Sequence, residues 1–305
     1  MKILSIFLFS FYLCAHADLV REGDSGIFGP KWNDLLGEMQ NWQKSYSDLV
    51  EVIDYGITNE KRTMRLVLIM DRKATAARRA FIMTGTIHGN EYLNLEDRIP
   101  LELLKRAGGA GPVNVFLKQG GVFIFIPIIN PDGYEKRQRG NANGTDLNRD
   151  WNVPSAGFKG FKEVESRDLA KIVENLRVKY QFKVVVNIDY HCCAGANLHP
   201  WGYKREKIPE MDVKRHLVMA DIATSLIGSK SGTPLSILGY TAMGTTLDYY
   251  YETYGSTSLT YEGRYKEEHK YFDKHVAWFE GMLKTLTTNG TDPRFYLGNQ
   301  FYWFE

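Results

Sequence analysis

Apolar positions recur along this chain with two different spacings, and segments of the two kinds alternate. Over residues 32–49, Leu35, Leu36, Met39, Trp42 and Tyr46 fall three to four residues apart, which predicts an amphipathic helix. Short apolar runs at 65–70 and 80–86 predict strands. Residues 95–106 predict a helix that stops at Gly108-Gly109. Residues 121–129 are almost continuously apolar, as in a strand buried on both faces. That run ends in Asn130-Pro131-Asp132-Gly133, a turn signal. Farther along, the pattern predicts a helix over 161–180, a buried strand over 182–189 and a helix over 211–227. A short strand at 257–261 and a last helix at 269–286 complete it. Strands alternating with helices predict an α/β fold: one mixed, mostly parallel sheet with helices on both faces. No repeat or linker interrupts the pattern, so a single catalytic domain is expected over 18–305.

The first residues read differently. Lys2, an apolar run over 3–13 and Ala15-His16-Ala17 have the build of a secretory signal peptide cleaved after Ala17. The run is shorter than the roughly 20 residues of a membrane span. The protein is therefore expected to be secreted or periplasmic, not membrane-spanning, and monomeric. Lys and Arg number 38 against 36 Asp and Glu and are dispersed, which gives no electrostatic case for nucleic acid. Beyond Cys14 the only cysteines are Cys192 and Cys193, so packing rather than a disulfide framework is expected to hold the fold. Neighbouring strand residues point to opposite faces, so the pair is not expected to ligate one zinc; two buried free thiols are expected, with a vicinal disulfide as the alternative. Asn-x-Thr sequons at Asn143 and Asn289 are read as chance occurrences, and the aromatic stretch 295–304 is expected to pack on the core.

Candidate chemistry lies in His88-Gly89-Asn90-Glu91, in Asp146-Leu147-Asn148-Arg149, in His191 and in Glu262. His88, His191 and Glu262 each fall at the end of a predicted strand, where open α/β sheets place their sites. Two imidazoles and a carboxylate give zinc three ligands and leave a fourth position open. A second carboxylate can take a proton from a water activated at the metal. Arginine's planar fork beside an asparagine donor suits a carboxylate on the substrate. The combination predicts a zinc hydrolase that recognises a chain end. It requires the imidazoles of His88 and His191 to lie within about 6 Å of each other, given bonds of roughly 2 Å to a shared ion.

Over 52–262 these motifs resemble a zinc metallocarboxypeptidase of the carboxypeptidase A-like family. The resemblance implies one Zn2+ held by His88, Glu91 and His191, with Asp146 orienting the first histidine. It implies that Arg139, with Arg137 as the rival, steadies the scissile carbonyl as it becomes an oxyanion. Asn148 and Arg149 would clamp the terminal carboxylate, and Tyr240 would close over the bound end. Leu247 would line the pocket for the terminal side chain, implying apolar or aromatic residues there. Glu262 would be the general base. Asn90 departs from the arginine of digestive members. The chain is also expected to carry neither a folded pro-domain before His88 nor an added β-sandwich after Glu262. The expected activity is removal of the C-terminal residue from peptides. A bacterial cell-wall peptidase cutting murein stem peptides and a non-catalytic zinc- or carboxylate-binding module are the alternatives.

Overall fold

The computed structural model describes residues 29–288, so the signal peptide, Asn289 and the stretch 295–304 lie outside the described residues. Helix α1 (Trp32–Ser45) buries Trp32, Leu35, Met39 and Trp42 along one stripe. It ends before residue 49 because Val50 already pairs with Ile69, in the antiparallel ladder of β1 (Val50–Ile57) and β2 (Thr63–Met70). Strand β1 carries Glu51 and Asp54 and is mostly half-buried, which hid it from an apolar-run reading. Then follow β3 (Arg79–Gly85), α2 (Arg98–Arg106), α3 (Pro112–Lys118) and β4 (Gly121–Ile126), whose six residues are all buried. Where a turn was expected, α4 (Pro131–Lys136) forms instead. The Asn130 side chain accepts from Gly133 N and Pro131 takes the first helical position, both helix-starting devices.

The second half contains α5 (Val164–Tyr180), β5 (Lys183–Cys192), β6 (Ala196–Leu198) and α6 (Glu210–Ile227). It continues with β7 (Lys230–Gly232), α7 (Pro234–Leu238), α8 (Thr246–Tyr254), β8 (Thr257–Gly263) and α9 (Phe272–Thr288). Eight strands form one sheet in the order β1-β2-β4-β3-β5-β8-β6-β7. The centre, β4-β3-β5-β8, is parallel; β1, β2 and β6 join antiparallel neighbours. This is the mixed α/β sheet the periodicity predicts.

Alternation sorts the sheet's side chains into two apolar layers. Phe81, Met83, Phe123, Phe125 and Ile188 pack with residues of α1, α2, α3, α6 and α9, including Trp278 and Phe279. Ala80, Ile82, Val122, Ile124 and Ile126 face the other way, onto Leu169 and Val173 of α5 and Tyr250 of α8. With both faces covered, the exposed ends of the parallel strands are where polar side chains can gather.

One polar residue ties this scaffold together. Asp150, 3% exposed, accepts from Lys162 N (3.0 Å), Glu163 N (2.9 Å) and Ser166 Oγ (2.6 Å), fixing the entry to α5. Replacing it with alanine strands these donors. Asp150→Ala is expected to cost about 3 kcal/mol and to lower Tm by roughly 6–12 °C, measured by thermal unfolding. An unchanged Tm would show that water replaces the carboxylate freely.

Candidate active site

The loop leaving β3 carries His88 and Glu91, and its shape is set by backbone contact. Glu91 N donates to His88 O at 3.0 Å. A Cβ at Gly89 would collide with the Gly133 carbonyl, so only glycine lets this loop rest on the start of α4. Asn130 Nδ2 donates to Ile87 O (3.2 Å) and Arg139 O (3.4 Å), tying the loop to the segment that carries Arg139. Across the sheet, β5 and β8 run parallel, and their register sets His191 beside Glu262.

These elements converge. His88 Nδ1 lies 2.9 Å from Glu91 Oε2, His191 Nδ1 lies 3.1 Å from the same oxygen, and the two Nδ1 atoms are 3.2 Å apart. The imidazoles are thus well inside the separation a shared ion demands. A tetrahedral ion with bonds of about 2.0–2.1 Å spaces its ligand atoms by about 3.3 Å, close to the triangle observed. All three residues are buried, and their donor set is the one zinc takes. Burial opposes ionisation of Glu91, but the charges of His88 and His191 hold its carboxyl well below the usual range. The residues present therefore fit a zinc ion.

Outer contacts fix the rings. His88 Nε2 donates to Asp146 Oδ1 at 2.9 Å, and His191 Nε2 donates to Asp189 Oδ2 at 3.0 Å, which leaves each Nδ1 turned inward. Arg139 reaches this cluster. Its Nε and Nη2 donate to Asp146 Oδ2 (3.1 and 2.9 Å) and its Nη1 to Glu91 Oε1 (3.0 Å). Arg137 is the left-handed cap of α4. Although partial burial raises it, the Asp146 carboxyl is held well below the usual carboxylate range by the hydrogen bond and charge of His88 and by Arg139 and Arg149. Glu262 behaves oppositely. Burial raises its carboxyl, with the Glu91 charge adding to that effect while His191, His88 and Arg139 oppose it.

The remaining candidates surround the cluster. Asn148 is buried; its Oδ1 accepts from Thr246 N at 3.1 Å. Arg149 is half-buried and uses Nη1 on Asn148 O at 2.7 Å, leaving most of its five donors uncommitted by that bond. Tyr240, 42% exposed, follows the left-handed Gly239 at the end of α7 and feels the charges of Glu262, Arg149 and Arg139. Leu247 is buried in the first turn of α8 among Ala196, Leu198, Ile237 and Leu238. Asn90 is buried, and its Oδ1 finds no partner among the described residues.

One expectation is corrected. Cys192 and Cys193 are not free thiols but are joined in a disulfide. Cys192 is half-buried and Cys193 exposed, so neither is the buried small hydrophobe expected. Cys192 N also donates to Glu91 Oε2 at 3.2 Å. Asp189 was overlooked by motif reading. Its signal was present: in Asp189-Tyr190-His191, residues two apart on a strand share a face.

Comparison with known proteins gives a consistent picture. The family described as Zinc carboxypeptidase matches residues 35–277. The chain is 25% identical over 274 residues to the Metallocarboxypeptidase A-like protein of Trichophyton verrucosum, a match covering 77% of this chain and 62% of the relative. It is 26% identical over 262 residues to Carboxypeptidase A4 of Mus musculus, covering 75% of this chain and 61% of that protein. The chain thus spans about three-fifths of the length of these relatives. In fold it is similar to thrombin activatable fibrinolysis inhibitor, with a TM-score of 0.72 and 19% identity over 84% of this chain and 74% of that one. It is also similar to carboxypeptidase A from Helicoverpa armigera, with a TM-score of 0.68 and 18% identity over 89% of this chain and 78% of that one.

Proposed function

This chain belongs to the zinc carboxypeptidase family, and from that premise we propose that it removes the C-terminal residue, apolar or aromatic, from peptides. The observation that carries this reading is the triangle of His88 Nδ1, His191 Nδ1 and Glu91 Oε2, 2.9–3.2 Å on a side, with Glu262 in register beside His191. A single zinc ion held there would supply Lewis-acid polarisation of a carbonyl and lower the pKa of a water.

The chain's own groups divide the rest of the work. Glu262, whose carboxyl is raised by burial, accepts the proton of the attacking water and passes it to the leaving nitrogen. Arg139 holds Glu91 and Asp146 in place and directs its spare donors at the carbonyl oxygen as charge develops, an effect often worth ~10²–10³ in rate. Asn148 and Arg149 bind the terminal carboxylate. An internal peptide segment offers Arg149 no such partner, and that difference selects chain ends. Tyr240 closes over the bound end from its exposed position, and Leu247 gives the side-chain pocket an aliphatic wall.

We further infer export as one mature catalytic domain beginning after Ala17 and acting as a monomer. The basic-apolar-small pattern of the first residues supports this. Among the described residues no helix is long and apolar enough to cross a membrane.

The deciding experiment incubates the purified protein with a peptide library that includes murein stem peptides and reads product masses. Loss of single C-terminal residues from L-peptides is the expected result. Cleavage confined to D-configured or γ-linked bonds would transfer the protein to cell-wall chemistry. A second expectation concerns the clamp. Arg149→Met should lower kcat/KM by roughly 10- to 100-fold on peptide acids, the equivalent of about 1.5–3 kcal/mol for hydrogen bonds to a charged group. The mutant-to-wild-type ratio on the corresponding peptide amides should stay near one. Equal losses on acids and amides would remove Arg149 from this role.

A further inference from the structure

Resting on the zinc reading above, we propose that Asp189 is a second positioning carboxylate of the metal centre, one that acts through His191 as Asp146 acts through His88. The two histidines are backed in the same way. Each ring presents Nδ1 to the shared position and gives its Nε2 proton to a carboxylate, Asp146 for His88 (2.9 Å) and Asp189 for His191 (3.0 Å).

Asp189 is more deeply buried than its counterpart. Asp146 is partly exposed, whereas Asp189 is fully buried at the carboxyl end of β5. Thr84 Oγ1, from β3, donates to its Oδ1 at 2.7 Å, and Thr246 Oγ1, from the first turn of α8, donates to its Oδ2 at 2.6 Å. A buried carboxylate is costly unless its lone pairs are satisfied. Here each oxygen accepts from a hydroxyl, and Oδ2 accepts from the imidazole as well. Accepting the Nε2 proton fixes the tautomer of His191 and makes Nδ1 a stronger donor toward a cation.

The same arrangement reaches the substrate clamp. Asn148 Nδ2 lies 3.4 Å from His191 Nε2. Because Nε2 carries the proton that Asp189 accepts, it offers Asn148 no lone pair, and the amide donors stay available for a ligand. Thr246 links both sides, since its hydroxyl holds Asp189 while its backbone N–H holds Asn148 Oδ1. A metal ligand and an end-group ligand are thus connected through one threonine.

The test measures zinc affinity of the purified full-length protein by competition with a chelator of known affinity, alongside the Nε2 proton resonance of zinc-loaded His191. Asp189→Asn keeps an acceptor but removes the charge. It should weaken zinc binding by roughly 10- to 100-fold and move the His191 Nε2 proton upfield, with the His88 resonance unchanged. Thr246→Val, which leaves Asp189 in place and fills similar volume, should weaken zinc several-fold and guards against failure of the first variant to fold. Wild-type affinity and an unmoved His191 resonance in either folded variant would overturn the proposal while leaving the zinc reading intact. A wild-type protein that binds no zinc would overturn both.

Discussion

Glu262→Gln is expected to lower kcat by roughly 10²–10⁴-fold, the range that a positioned general base contributes, while zinc content and Tm stay at wild-type values. The reason lies in the strand register. Glu262 stands opposite His191 on the parallel β5–β8 pair, so its carboxyl is carried by the same rigid frame as that imidazole. Burial raises that carboxyl, which brings its proton affinity toward the operating range of a base near neutral pH. Glutamine keeps the shape and cannot take the proton. The measurement pairs steady-state turnover of an apolar-ended blocked dipeptide with metal analysis of the same sample. Unchanged turnover would remove Glu262 from the chemistry. A wild-type protein with zinc bound and no turnover on any peptide would revive the reading as a binding module.

Zinc removal should produce the other large effect, on activity and stability together. Three buried ligand atoms face one another within 3.2 Å, and one of them belongs to a carboxylate. With an ion present at about a thousand times its dissociation constant, binding adds about 4 kcal/mol to the folded state. For a domain of this size each kcal/mol is worth about 2–4 °C, so exhaustive chelation should lower Tm by roughly 8–16 °C and abolish turnover. Re-addition of zinc should restore both. Activity that persists in metal-free protein would exclude the proposed chemistry, whatever the melting curve shows.

How much of this was legible beforehand depended on whether a residue's signal was local. Strands β3, β4 and β5 of the parallel centre were readable because they are largely apolar runs, bounded by turn signals or by helices. Strand β1 was not, because half-burial mixes charged residues such as Glu51 and Asp54 into it. Helix α8 was missed because its run of tyrosines and Leu247 shows no clear 3.6-residue stripe. The metal triangle was legible because His88 and Glu91 are near neighbours, and His191 closes a predicted strand. Asp189 was passed over because a single carboxylate inside an apolar run looks like the end of a strand, and its hydroxyl partners lie on β3 and α8, far off in the chain.

In the stretch from Asp146 to Asp150, four of five consecutive residues each serve a different neighbour outside it, and the fifth braces the stretch itself. Asp146 meets His88, Leu147 the apolar layer, Asn148 the amide of Thr246, Arg149 the carbonyl of Asn148, and Asp150 the entry to α5. Such a segment has no slack: a one-residue insertion or deletion would shift every partner at once. Directed evolution of the proposed activity should therefore leave the pentapeptide untouched and randomise the loop bearing Tyr240, which is 42% exposed.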